Sequence, residues 1–353
     1  MYEKRIQNRI CESRLLLPVA LVLLGVLWWL PRRLFDAEYF ISLGLCVVMT
    51  YIIMEMANRN ALIRIYSRSI STLFLLLLGA MGFLHGFSSA FFGVLMLCLA
   101  YSLLLRVDVA DNLQAHLFHT FLFLALGVLC VPVYAVFVPL FYWYCLVYLR
   151  RLTLRAFGAG LLGLLLPFWV GAGVALFSGR WELAQQWIGS LTDWRLPALA
   201  DYRSIDVASR WAWGWVGLMT LMGAWYYLSN RFQDKVRTRL LHYIFITQCG
   251  VIALLVILQP HRASGLLPAM LLSMSPALGH YFTLQRTRWG TWCFFLLLSG
   301  LAAMAAFTCF EGLAPWLYAR LDEAREAALQ GQETAMEWWN FVYDAIIKQI
   351  KQI

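Results

Sequence analysis

The sequence predicts an all-α fold, a polytopic helical membrane protein with about eleven transmembrane helices and an amphipathic C-terminal helical tail. Three observations predict it. Hydrophobic residues fill 62% of the 353 positions and charged residues 13%, against about a quarter charged in soluble domains. Apolar runs recur along the chain, many near the ~20 residues that cross a hydrocarbon core. Strands of alternating polarity, as in membrane barrels, are absent. In lipid every backbone amide must be bonded within its own segment, so such runs are helices.

In chain order the spans are 15–30, 39–54, 71–85, 89–105, 114–130, 133–149, 156–177, 211–228, 240–258, 265–284 and 289–311. The first follows Lys4, Arg5, Arg9 and Arg14 and exits at "WWLPRR", without a small-x-small cleavage site, so it reads as a retained signal anchor. Glu55 closes the second and is expected to pair with Arg59 one turn on. The third ends in "GFLHG", a GxxxG spacing that suits close helix packing. Asp108 and Asp111 precede the fifth, where acidic groups favour a helix N-terminus. The seventh, "GAGLLGLLLPFWVGAG", is rich in small residues and is again expected to pack internally.

Residues 178–210 form a long loop between spans, with Trp181, Trp187 and Trp194 spaced as in a helix lying in the membrane interface. Four more spans follow. In the tail, Met336, Trp339, Tyr343, Ile346, Ile350 and Ile353 fall at alternating spacings of three and four, a coiled-coil seam suited to a partner's helix or to the chain's own surface. Pro315 suits the start of the helix before it. The domains are therefore 1–177 (seven spans), 178–210 (interfacial loop), 211–312 (four spans) and 313–353 (amphipathic tail).

Eleven crossings from a cytoplasmic N-terminus place seventeen of the 28 Lys and Arg on inner segments. Most of the others lie in the long loop and tail, so the positive-inside rule favours this orientation and a C-terminus outside. The net charge of +9 is then mainly inner-rim charge beside anionic lipid. No basic domain remains for nucleic acid. The eight cysteines occur singly, without a C-x-x-C, and read as small buried residues.

Against that charge pattern, two short outer loops carry arginine: Arg32 and Arg33, with Asp36 and Glu38 close behind, and Arg262 beside His261. His85 ends the third span on the same face. Arginine's forked donors match phosphate oxygens, so Arg32, Arg33, His85 and Arg262 are candidates for an anionic lipid headgroup. Asp36, Glu38 and His261 are the candidate catalytic groups, since a neighbouring carboxylate or imidazole can take a proton. The same arginines also suit simple anchoring at the headgroup layer. His116 and His119 lie one turn apart without a further ligand set, so no metal site and no cofactor are expected. Walker, H-E-x-x-H, G-x-S-x-G and dinucleotide signatures are absent. Deep ionisable residues are nearly absent too, with His280, Gln248 and His242 the nearest candidates.

Residues 112–176, with Arg151 and Arg155 in a basic turn and then "GLLLPF" from Gly163 to Phe168, resemble a segment of an uncharacterised family of polytopic integral membrane proteins of Bacteroidota. The resemblance implies a bacterial inner membrane and brings no catalytic residue. Asp36 and Glu38 also resemble the acidic first outward loop of polytopic lipid-phosphate-sugar-dependent glycosyltransferases, whose first loop is much longer than 31–38 here. The expected function is a non-catalytic inner-membrane subunit or scaffold of a cell-envelope assembly, contacting membrane lipids and, through its C-terminal helix, another envelope protein. The alternative is an enzyme or flippase acting on polyprenyl-phosphate-linked sugars or phospholipid headgroups at the periplasmic face. A solute transporter comes third.

Overall fold

The structure, a computed structural model, describes residues 5–29, 37–195, 197, 199–205, 207–329, 343–344 and 348. Among the described residues there is no strand. The helices are α1 (Ile6–Glu12), α2 (Leu16–Trp29), α3 (Ala37–Arg59), α4 (Ser69–Ala80), α5 (Ser89–Leu104), α6 (Leu113–Cys130), α7 (Phe137–Trp143), α8 (Leu154–Phe177), α9 (Trp181–Thr192), α10 (Leu199–Ser204), α11 (Val207–Asn230), α12 (Val236–Leu258), α13 (Ala263–Leu284) and α14 (Arg288–Leu329). A 3-10 stretch, Pro132–Val136, leads into α7, and a π turn, Tyr144–Tyr148, leaves it.

The core is built around α13. Every residue from Leu266 to Thr283 is buried, and α4, α5, α11 and α12 pack around it. A helix enclosed by protein tolerates polar residues that a lipid-facing helix does not. Ser273 and Ser275 accordingly donate their hydroxyls to the carbonyls of Ala269 and Leu271 within the same helix. On one flank α2 and α3 pack on α4; on the other, α6 lies between α5 and the outlying α8.

Each of the eleven apolar segments is helical in whole or part. Among the described residues, six helices are long and apolar enough to cross a membrane, or seven if α1 and α2, which meet at 88°, make one span. The shortfall has physical causes. At ~1.5 Å per residue a helix of 12 residues such as α4 reaches only about 18 Å of a ~30 Å hydrocarbon core. The run Pro132–Tyr148 is likewise short. α11 and α13 are long enough, but tryptophan, tyrosine, serine, proline and histidine dilute their apolar content.

One end of the bundle carries the 259–262 joint with α9 over it; the other carries 60–68, 231–235 and 285–288. Two local expectations differ from the structure. "GFLHG" is not one helix face: Gly82–Leu84 is a single 3-10 turn, and a methyl group added at Gly86 would meet nothing within 4 Å. Pro315 starts no new helix, because α14 runs unbroken from Arg288 to Leu329; an internal proline removes one hydrogen bond without ending a helix that is otherwise bonded. The boundary at 312/313 thus falls inside α14. A helix of 7 residues such as α1 is marginal alone. Its position is fixed by Asn8, whose Nδ2 donates to the carbonyls of Thr283 at 2.7 Å and Gln285 at 3.2 Å, covering the end of α13.

Candidate functional site

The 259–262 joint owes its shape to Pro260, which opens a 3-10 turn, Pro260–Arg262, directly before α13. The turn aims Arg262 at the C-terminus of α9. Its Nη2 donates to the carbonyls of Ser190 at 2.7 Å and Asp193 at 2.8 Å, and the guanidinium lies 5.7 Å over the Trp194 ring. A cation there satisfies orphan carbonyls and opposes the helix dipole. Gln259 adds a bond from Nε2 to the Arg195 carbonyl at 2.9 Å, and the Tyr202 hydroxyl donates to the carbonyl of Ile257. The long loop is therefore folded down onto the bundle.

Beneath α9 lie two hollows in series. One, about 640 Å³, has Arg262, His261, Asp193, Ser190 and Ser264 on one wall and Phe83, Phe87 and Val131 among its apolar residues. The other, about 710 Å³, runs between α8 and α9 past Phe168, Ala172, Ala184 and Ile188. α9 covers both, with Ser190 over the polar hollow and Trp181, Ala184 and Trp187 along the edge of the apolar one. At their junction the Trp187 indole donates to the Leu129 carbonyl at 3.1 Å and packs 5.3 Å from Phe168.

The charges in the polar hollow are not evenly matched. Arg195 grips Asp193 through Nε at 2.9 Å and Nη2 at 3.1 Å. That hydrogen bonding, helped by the charges of Arg195, His261 and Arg262, holds the Asp193 carboxyl below its ordinary range. Arg262 itself makes no ion pair among the described residues. Its Nε donates to His261 Nε2 at 3.2 Å, so that lone pair is occupied and His261 bears its proton on Nδ1. His261 is thereby a donor, and the hollow presents Arg262 and His261 beside the paired Asp193 carboxylate, next to an apolar one.

The other predicted residues are dispersed. His85 turns inward and is 3% exposed; it stacks on Trp28 with centroids 3.7 Å apart and bonds through Nε2 to Gly79 O at 3.0 Å. Glu38 stands exposed in the first turn of α3. Arg32, Arg33 and Asp36 lie outside the described residues, as do Met336, Trp339, Ile346, Ile350 and Ile353; Tyr343 is described only as helical and half-buried. His116 and His119 bond to different carbonyls, those of Leu103 and Ala115. No group of three or more His, Cys, Asp or Glu among the described residues could hold a metal ion. Glu55 pairs with Arg59, and the eight cysteines are free thiols.

Sequence reasoning missed a second polar centre. Asp234, in a loop that reads as basic rim, folds inward until its side chain has no exposed surface, between Arg64 and His280. Burial alone would raise its pKa; the His280 hydrogen bond and the Arg64 charge outweigh that and hold it below the ordinary carboxylate range. The only signal was a lone acid among basic residues in "NRFQDKVRTR". Nearby, Arg237 closes on Asp108 at 2.6 Å and on Asn60 at 3.1 Å. Comparison with family models, with curated proteins and with solved structures finds no match in any of the three.

Proposed function

We propose that the protein is a multi-pass membrane protein of the bacterial inner membrane that binds an amphiphile with an anionic head beneath α9. The head sits against Arg262 and His261, and the chain lies in the apolar hollow between α8 and α9. One observation carries the reading: an arginine without an ion-paired carboxylate among the described residues lines a polar hollow that adjoins an apolar one. Guanidinium donors favour phosphate oxygens, so a phosphorylated lipid or polyprenyl phosphate is the ligand class. With His261 acting as donor, the hollow is suited to holding a headgroup for translocation or presentation. In this reading the segments cross eleven times, and the α9 end faces the periplasm.

Native mass spectrometry of the purified protein tests it, with short-chain phosphatidic acid and phosphatidylcholine as probes. Phosphatidic acid is expected to be retained at least tenfold better, and Ser264→Leu, which fills the polar hollow and spares the ties of Arg262, is expected to abolish the preference. Equal retention of both lipids would defeat the proposal.

A second reading, a scaffold of a cell-envelope assembly, is favoured by the exposure of Trp181, Ile188 and Trp194 on and beside α9, apolar groups suited to a partner or to the bilayer interface. A stoichiometric protein partner recovered in mild detergent, lost on Trp181→Ala with Trp194→Ala, would support it.

A further inference from the structure

At the far end of α13, two histidines from different helices meet in the core. The Asp234 carboxylate lies 2.8 Å from His280 Nε2 through Oδ2 and 2.8 Å from Arg64 Nε through Oδ1, the latter an ion pair without hydrogen-bond alignment. A carboxylate only accepts, so His280 carries its proton on Nε2 and leaves Nδ1 bare. His242 reaches the same condition with another acceptor. Its Nδ1 donates to the Thr238 carbonyl at 3.0 Å, leaving Nε2 bare. The two rings stand edge to face with centroids 5.4 Å apart. Tyr227 stacks on His242 at 4.2 Å and meets His280 edge-on at 4.8 Å.

Among the described residues, His280 Nδ1, His242 Nε2 and the Tyr227 hydroxyl find no hydrogen-bond partner, although all three side chains are buried. Buried polar atoms are nearly always satisfied, and here two of the three are basic lone pairs. The charged or titratable groups around them are Arg64 and Asp234 from the loops, Tyr226 and Tyr227 from α11, and Arg239 and Tyr243 from α12. The facing turn of α4, with Ser69 and Ile70, carries none. Arg64 is half-exposed and also grips Gln233, so the group touches the surface at one corner.

We propose that His242 and His280 form a binding site for a single proton, shared between the two imidazoles, balanced by Asp234 and reached from the Arg64 corner. An incoming proton forms an N–H bond at Nδ1 of His280, giving an imidazolium already paired with Asp234. Held instead at Nε2 of His242, the same proton leaves His280 neutral. Two imidazolium rings this close in a dry core exclude one another, so the second proton does not follow.

The test is an imidazole ¹⁵N titration of the full-length protein in phosphatidylcholine nanodiscs. His116, His119 and His261 are changed to Gln, leaving three buried histidines; the stacked Trp28 ring marks His85 by its ring-current shift. Between pH 4 and 9 the signals of His242 and His280 are expected to move together at one midpoint, with uptake of one proton in all. Asp234→Asn should lower that midpoint by at least one pH unit, a tenfold weakening. Two protons bound at separate midpoints, one ring titrating alone, or both rings neutral down to pH 4 would each overturn the proposal. Should Asp234→Asn not fold, the titration with Asp234 in place decides.

Discussion

Gly163 shows how narrow a tolerance one position can have. A methyl group there would fall on the Phe118 carbonyl and lie 2.9 Å from its carbon. Backbone cannot yield as a side-chain tip can, so Gly163→Ala should separate α8 from α6 at a cost of about 1–3 kcal/mol. Gly171→Ala, whose methyl would meet nothing within 4 Å, is the control, and thermal unfolding in detergent distinguishes the two. The sequence showed a stretch rich in small residues; which glycines touch backbone depends on where α6 crosses, and that is a tertiary fact. Asp234 was less legible still, since a basic loop says nothing about which of its side chains turns inward. Its pKa is lowered in the folded state, so it contributes stability above its unfolded value, and that contribution is lost as pH falls through the folded value. Asp234→Asn should therefore cost about 3 kcal/mol near neutrality. The gap to the parent protein should close below about pH 4, as equilibrium unfolding at stepped pH would reveal.

Among the elements, α9 and α1 are both held by polar side-chain bonds that join positions far apart in sequence. Removing the Asn8 amide by Asn8→Ala leaves the carbonyls of Thr283 and Gln285 without that donor, and a loss of about 1–2 kcal/mol is expected in the same melts. For α9 the tie is Arg262: Arg262→Gln should loosen the helix and expose the bond after Arg180 or Arg195 to trypsin, measured as a several-fold faster first cut. The helices themselves were legible, because an apolar run of fifteen to twenty residues has few alternatives to a helix. Their caps and breaks were less so. A 3-10 turn at Gly82–Leu84 and an uninterrupted α14 both turn on local hydrogen bonding that apolar content does not report. The pairing of Arg262 with α9 was invisible too, since the joint and the helix are about seventy positions apart.

For the whole molecule, the polar hollow and the Asp234 centre lie at opposite ends of α13. A membrane-impermeant maleimide should label Gln186→Cys and Lys235→Cys, both exposed positions, from opposite sides of sealed vesicles. Labelling of both from one side would dismantle the proposed eleven-crossing topology. The tail seam, Tyr343 apart, lies outside the described residues, but the element that leads to it does not. At 42 residues and ~1.5 Å each, α14 is about 63 Å long, roughly twice the thickness of a bilayer's hydrocarbon. Planted at Arg288, such a mast would carry its own last turns, up to Leu329, some tens of ångströms clear of the lipid.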